Sequence, residues 1–166
     1  MNMLNQQPAN HERSKNVSIV ASIVVVEDSP TILHAICALL EIEEGIEIVG
    51  RAADGEEAME AVESVHPEFV LMDVSMPRMN GLVATRLLAR HFPGTRVLLM
   101  SSEDSPQLRD ECLACGALAF IYKPRFRTEL LAAVQASRKS GKIDVQDRKR
   151  RSVFSRFSPA AVAISG

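Results

Sequence analysis

Apolar residues in the middle of this chain follow two alternating patterns. Short, nearly continuous runs occur at IVASIVVV (19–26), IEIVGRA (46–52), EFVLM (68–72), TRVLLMS (95–101) and ALAFIY (117–122). They are rich in β-branched residues and short, so they predict five strands. Between them the apolar positions recur at helical spacing, and each stretch has its own punctuation. Ser29-Pro30 offers an N-cap and a proline at the first helical position, ahead of Ile32, Leu33, Ile36, Leu39 and Leu40. Asp54-Gly55-Glu56-Glu57 has the form of a capping arrangement before Ala58, Met59 and Val62. Leu82, Leu87 and Leu88 mark a third helix closed by Pro93-Gly94, a fourth runs from Ser105-Pro106 to Gly116, and a fifth from about Phe126 to Arg138.

Continuous apolar strands alternating with helices imply a parallel sheet covered on both faces. Right-handed crossovers then give a doubly wound, three-layer α/β/α sandwich around a five-stranded parallel sheet. The expected organisation is a flexible N-terminal arm over 1–17, a folded domain over 18–138 and a flexible basic segment over 139–166.

Composition narrows the class. A chain of 166 residues with 46% hydrophobic and 24% charged residues has the material for one domain with a real core. No apolar run reaches the roughly 18 residues a membrane span needs, and MNMLNQQPANHERSKN lacks a signal-peptide core, which points to the cytoplasm. Three cysteines, Cys37, Cys112 and Cys115, make no disulfide framework. Cys112 and Cys115 form a CxxC, but at the end of a predicted helix rather than its start. There the helix dipole raises a thiol pKa, so buried thiols are expected and redox or zinc chemistry is not. His11, His34, His66 and His91 stand singly and read as solvated or structural residues.

The formal charge of −2 conceals an asymmetry: residues 138–166 carry +6, leaving −8 on the remainder. A run such as RKRR is ordinarily a solvated end. Its functional alternatives are contact with nucleic acid, an acidic partner, an anionic membrane or the acidic body of the protein, with Phe154 and Phe157 adding slight apolar help.

In a doubly wound sheet, chemistry collects beyond the C-terminal ends of the strands. The first strand ends Glu27-Asp28, the third Asp73, the fourth Ser101-Ser102 and the fifth Tyr122-Lys123-Pro124, whereas Arg51-Ala52-Ala53 after the second brings no comparable group. Three carboxylates brought to one edge repel one another, and the remedies are raised pKa values or a cation. All-oxygen donors favour a hard ion such as Mg2+. A carboxylate can also act as a nucleophile and form an acyl phosphate, and phosphoryl transfer needs in-line positioning and charge neutralisation, which a metal, Lys123 and Ser101 could supply. Taken singly, each of these residues is a turn former or a solvated cap; their coincidence at four strand ends points to a phosphoryl-accepting edge.

On these residues the chain resembles the receiver domain of two-component response regulators, over about residues 19–138. Glu27-Asp28 matches the family's metal-binding acidic pair, Asp73 in DVSMPRMNG its phosphoacceptor, Ser101 the hydroxyl that contacts the phosphoryl group, Phe120 the switch aromatic, and Lys123-Pro124 the lysine and a proline held in cis. The resemblance implies the flavodoxin-like strand order 2-1-3-4-5. It also implies Mg2+ held by Glu27, Asp28, Asp73 and the Ser75 carbonyl, and phosphorylation of Asp73 by a histidine kinase, a phosphotransfer protein or a small donor. Ser101 and Phe120 are then expected to move, the ring turning inward, and to change the surface read by a downstream protein partner or a second copy in a phosphorylation-dependent dimer. Ser75 and Glu103 are placed to tune the lifetime of the phosphorylated state.

GIEIVGRAADGEEAMEAV and MNGLVATRLLARHFPGTRVLLMS look most like receivers that precede a helix-turn-helix output domain. Only 28 residues follow 138, so a single-domain receiver with a short basic tail is expected, and direct DNA binding is not. The chain is expected to be a stoichiometric phosphoacceptor rather than an enzyme, beyond self-phosphorylation from small donors and self-dephosphorylation. A receiver fold used as a phosphorylation-independent adaptor is the alternative. A haloacid dehalogenase-type phosphatase would need a second Asp where Ser75 stands, and EDSPT lacks a glycine-rich dinucleotide loop.

Overall fold

The structure is a computed structural model that describes residues 20–140. The expected arm over 1–17, and all but the first two residues of the expected basic segment, lie outside the described residues. Five strands, β1 (Ala21–Val26), β2 (Ile46–Ala52), β3 (Phe69–Asp73), β4 (Arg96–Ser101) and β5 (Ala119–Tyr122), alternate with α1 (Pro30–Glu41), α2 (Gly55–Val65), α3 (Gly81–His91), α4 (Pro106–Ala114) and α5 (Phe126–Ser140). The strands form one parallel sheet in the order β2-β1-β3-β4-β5.

Side-chain alternation splits the core between the two faces of this sheet. Ile23, Val25, Phe69, Leu71, Leu98, Met100 and Ile121 pack with Ile36, Cys37 and Leu40 of α1 and Leu130 and Val134 of α5. Val24, Val26, Val70, Met72, Leu99 and Phe120 point the other way, against Ala58 and Val62 of α2, Ala84 and Leu88 of α3, and Cys112 of α4. Each fully buried Leu, Ile, Val or Met contributes about 1.5–3 kcal/mol of transfer free energy, so both layers are needed to hold the helices. Central β3 is buried along its whole length, while edge strand β2 is mostly half-buried.

Local signals set most helix ends. The Ser29 and Ser105 hydroxyls accept the N–H groups of Ile32 and Leu108, each ahead of a first-turn proline. At the end of α4, Gly116 takes a φ of 103°, its N–H donates to Leu113 O, and Ala117 N–H donates to Cys112 O. This is a Schellman closure, a conformation that favours glycine, and β5 therefore starts at Ala119 rather than at 117.

α1 departs from the expected core assignment. Its residues are apolar on more than one side, and the sheet takes the stripe Leu33, Ile36, Cys37 and Leu40. Ile32 and Leu39 belong to the neighbouring stripe and stay exposed, together with Ile42. Among the described residues no helix is long and apolar enough to cross a membrane.

Candidate functional site

The C-terminal ends of β1, β3 and β5 bring Glu27, Asp73 and Lys123 into contact. Asp73 is still part of β3, paired with Met100 of β4, so its backbone is fixed by the sheet. Lys123 opens a 3-10 turn at the end of β5, and its ammonium lies 2.8 Å from Glu27 Oε2 and 2.7 Å from Asp73 Oδ1. The other Asp73 oxygen, Oδ2, accepts the Ser75 N–H at 2.7 Å. Glu27 Oε1 accepts the Ser29 N–H at 3.4 Å.

Burial makes these contacts strong. Glu27 is 1% exposed and Asp73 4%. Burial pushes the Glu27 carboxyl above the ordinary range; the Lys123 ammonium opposes that rise and the Asp73 charge adds to it. For Lys123, burial pulls the pKa down, but its hydrogen bonds to Asp73 and Glu27 outweigh this and hold it above the ordinary lysine value. The lysine is therefore fully charged at neutral pH.

The remaining predicted residues lie around this centre. Asp28 follows Glu27 with an exposed side chain, and Ser75 is exposed two residues beyond Asp73. Among the described residues no three acidic, histidine or cysteine side chains cluster as metal ligands, and the Lys123 ammonium contacts both Glu27 and Asp73. Ser101 ends β4, and its hydroxyl accepts the Glu103 N–H at 3.0 Å. The Glu103 carboxylate accepts the Ser105 hydroxyl at 3.0 Å.

Phe120 is already buried at 8% exposure, with the Arg109 guanidinium carbon 4.6 Å from the ring centroid. Arg109 Nε also donates to Asp104 Oδ1 at 2.5 Å. The described peptide bonds are all trans, Lys123–Pro124 included, in contrast to the cis bond that the resemblance implies.

The loop after Asp73 is built to tight tolerances. Gly81 N–H donates to Val74 O at 3.0 Å, and Val74 N–H to Met100 O at 2.9 Å. Asn80 caps α3 by accepting the Val83 N–H at 2.9 Å. Two groups that the sequence reading passed over join the site here. Asp54, beyond the end of β2, is completely buried and forms an ion pair with Arg78 of this loop. The capping motif marked Asp54 as a helix start, but nothing in the sequence connected it to Arg78. Arg109, the cover of Phe120, left no signal beyond its place on a helix.

The CxxC is buried at the end of α4, where Cys115 Sγ donates to Cys112 O at 3.0 Å. Burial pushes the Cys112 thiol up to about 11, with Cys115 and Glu111 adding to the rise.

A parallel five-stranded sheet with an acid-lysine cluster at the ends of its first, third and fifth strands defines a class of protein. The family model of the response regulator receiver domain matches residues 23–135, and the chain belongs to that family. Among its relatives, the transcriptional regulatory protein DegU of Brevibacillus brevis is 33% identical over 119 residues, covering 72% of this chain and 50% of that protein. The protein-glutamate methylesterase/protein-glutamine glutaminase 4 of Geobacter metallireducens is 38% identical over 106 residues, covering 64% of this chain and 30% of that protein. The chain thus spans about half or less of these curated relatives. Among solved structures, the signal receiver domain of the response regulator NarL from Mycobacterium tuberculosis superposes with a TM-score of 0.67 at 31% identity, over 74% of this chain and 98% of that one. CheY in the CheX-CheY-BeF3-Mg+2 complex of Borrelia burgdorferi gives 0.65 at 29% identity, over 70% and 88%.

Proposed function

We propose that this chain is a cytoplasmic phosphoacceptor, in which Asp73 receives a phosphoryl group from a histidine kinase, a phosphotransfer protein or a small phosphodonor. One observation carries the reading: the Asp73 carboxylate is held at the sheet edge between the Lys123 ammonium and the Ser75 N–H. In the transfer a carboxylate oxygen of Asp73 attacks phosphorus while the bond from phosphorus to the donor's histidine nitrogen breaks. The imidazole leaves with the bonding electron pair, and an acyl phosphate remains on Asp73. Lys123 then balances part of the added negative charge.

The donor set fits a hard divalent ion. Glu27, Asp28 and Asp73 against Lys123 leave two formal negative charges uncompensated, and every candidate donor is oxygen. Asp28, Asp73 and the Ser75 carbonyl are the proposed ligands of Mg2+, and Glu27, already tied to Lys123, adds charge to the set. When bound, Mg2+ supplies neutralisation at the phosphoryl oxygens.

After transfer, the Ser101 hydroxyl, whose oxygen accepts the Glu103 N–H, turns its own hydrogen to donate to a phosphoryl oxygen. Because the Phe120 ring is already buried, the reading it supports is that its cover Arg109 moves with the loop, in place of an inward swing of the ring. The surface of α4, β5 and α5 then differs between the two forms, and a downstream partner or a second copy reads that difference. A coupling of about 1–3 kcal/mol is enough to change populations 5- to 150-fold. The exposed apolar stripe Ile32, Leu39 and Ile42, on and just beyond the helix that follows Glu27-Asp28, supports docking of a phosphodonor protein on this side.

The test is phosphate incorporation from acetyl phosphate or phosphoramidate with Mg2+, read on a phosphate-affinity gel. Wild type is expected to acquire one acid-stable, base-labile phosphate, and Asp73→Asn none. Label retained by Asp73→Asn refutes the assignment, and a wild type that takes none leaves the adaptor reading.

A further inference from the structure

The loop that follows the phosphoacceptor is anchored from a strand end that carries no chemistry of its own. Asp54 caps α2 with one oxygen: Oδ1 accepts the Glu56 and Glu57 N–H groups at 2.8 and 2.9 Å. Its second oxygen, Oδ2, is buried and has no hydrogen-bond partner among the described residues. The charge facing that oxygen is Arg78, whose side chain is 62% exposed and which lies in the turn between Asp73 and α3. Arg78 is the cation paired with this buried carboxylate, and removing one partner of a buried pair leaves an uncompensated charge, so the pair ties the turn to the start of α2.

The backbone at Arg78 points the same way. It takes a φ of 64°, in the left-handed region that costs an L residue about 1–2 kcal/mol. Glycine would meet that conformation at no steric cost, yet the position carries arginine, whose side chain reaches Asp54. Packing reinforces the link: a Cβ on Gly55 would fall 2.7 Å from Met79 Cγ and Sδ and 2.9 Å from Ala84 Cβ. The first turn of α2 therefore sits directly on the residue after Arg78 and on α3.

From this geometry we infer that Asp54 and Arg78 form a positioning clamp that fixes the 74–80 loop, and with it the Ser75 N–H on Asp73 and the Ser75 carbonyl. The inference rests on the phosphoacceptor reading for its consequence, which is that the clamp sets Mg2+ affinity and transfer rate without touching metal or phosphoryl group. The helix cap at Asp54 and the charge pair are separable, because an asparagine keeps the cap acceptor and loses the charge.

The experiment compares the full chain with Arg78→Gln, Asp54→Asn, the double variant and Arg78→Lys. Two readouts are taken: Mg2+ titration by calorimetry, and amide exchange of residues 74–80 in metal-free protein. Each single variant is expected to weaken Mg2+ binding by about 10-fold, as loss of a supporting partner does at metal sites. Their loop amides are expected to exchange about 10-fold faster, with β1 and β3 unchanged. The double variant should lose no more than the worse single, and Arg78→Lys should recover most of the loss. Singles that match wild type in both readouts, or a double variant whose losses multiply, overturn the clamp. A wild type that binds no Mg2+ overturns the phosphoacceptor reading instead, and the metal-free exchange then judges the clamp alone.

Discussion

Gly81 shows how closely the chain is fitted around Asp73. A Cβ there would lie 2.3 Å from the Asp73 carbonyl oxygen and 3.0 Å from both Leu99 Cδ2 and Val74 Cα. Two of these neighbours are backbone, so Gly81→Ala is expected to destabilise the fold by about 1–3 kcal/mol and to displace Asp73. Urea denaturation together with phosphate incorporation checks both effects; an unchanged midpoint contradicts the close approach. Cys112 allows a second residue-level prediction. Its pKa is raised to about 11, chiefly by burial, so its contribution to stability is complete below the unfolded value near 9 and is lost as pH rises through about 11. At pH 8 the thiol is expected to resist an alkylating reagent in the native protein and to react in urea. Asp73 and Lys123 were legible in the sequence because each interrupts an apolar run at a strand end. Asp54–Arg78 was not, since an ion pair between two loops leaves no periodicity.

Among the helices, α4 has the thinnest hold on the body, with Cys112 its one buried residue. Its front is secured by Arg109, stacked on Phe120 and bonded to Asp104 in the loop that leaves Ser101. A cation over an aromatic face contributes about 0.5–2 kcal/mol, a large share of what holds so sparsely buried a helix. Arg109→Ala is therefore expected to speed amide exchange across α4 by several-fold while α1 and α5 keep their protection, measured by hydrogen exchange with mass spectrometry. The ends of α4 were readable from Ser105-Pro106 and Gly116. Its weak anchoring was not, because burial depends on which helix face meets the sheet. The same limit explains α1, where two apolar stripes competed and the sheet took the one containing Cys37.

For the molecule as a whole, the alternation of runs and periodic stretches was enough to read five strands, five helices and their layering. The strand order came from the resemblance, since alternation alone does not say which strands are neighbours. α5 begins beside Lys123 and runs for 15 residues, about 22 Å at the helical rise, toward the opposite edge of the sheet. There Arg138 Nη2 lies 3.1 Å from Glu68 Oε2, and Arg96 Nη1 3.6 Å from Glu68 Oε1, just ahead of β3. Glu68 precedes β3 and Asp73 ends it, and groups this far apart act independently, so Arg138→Ala is expected to leave the rate of Asp73 phosphorylation within about twofold of wild type while lowering the urea midpoint. The two ends of α5 therefore belong to different neighbourhoods: its start lies beside the Asp73–Lys123 contact and its last turns are tied to the residue that leads into β3, so a change at one end is felt as chemistry and at the other as stability.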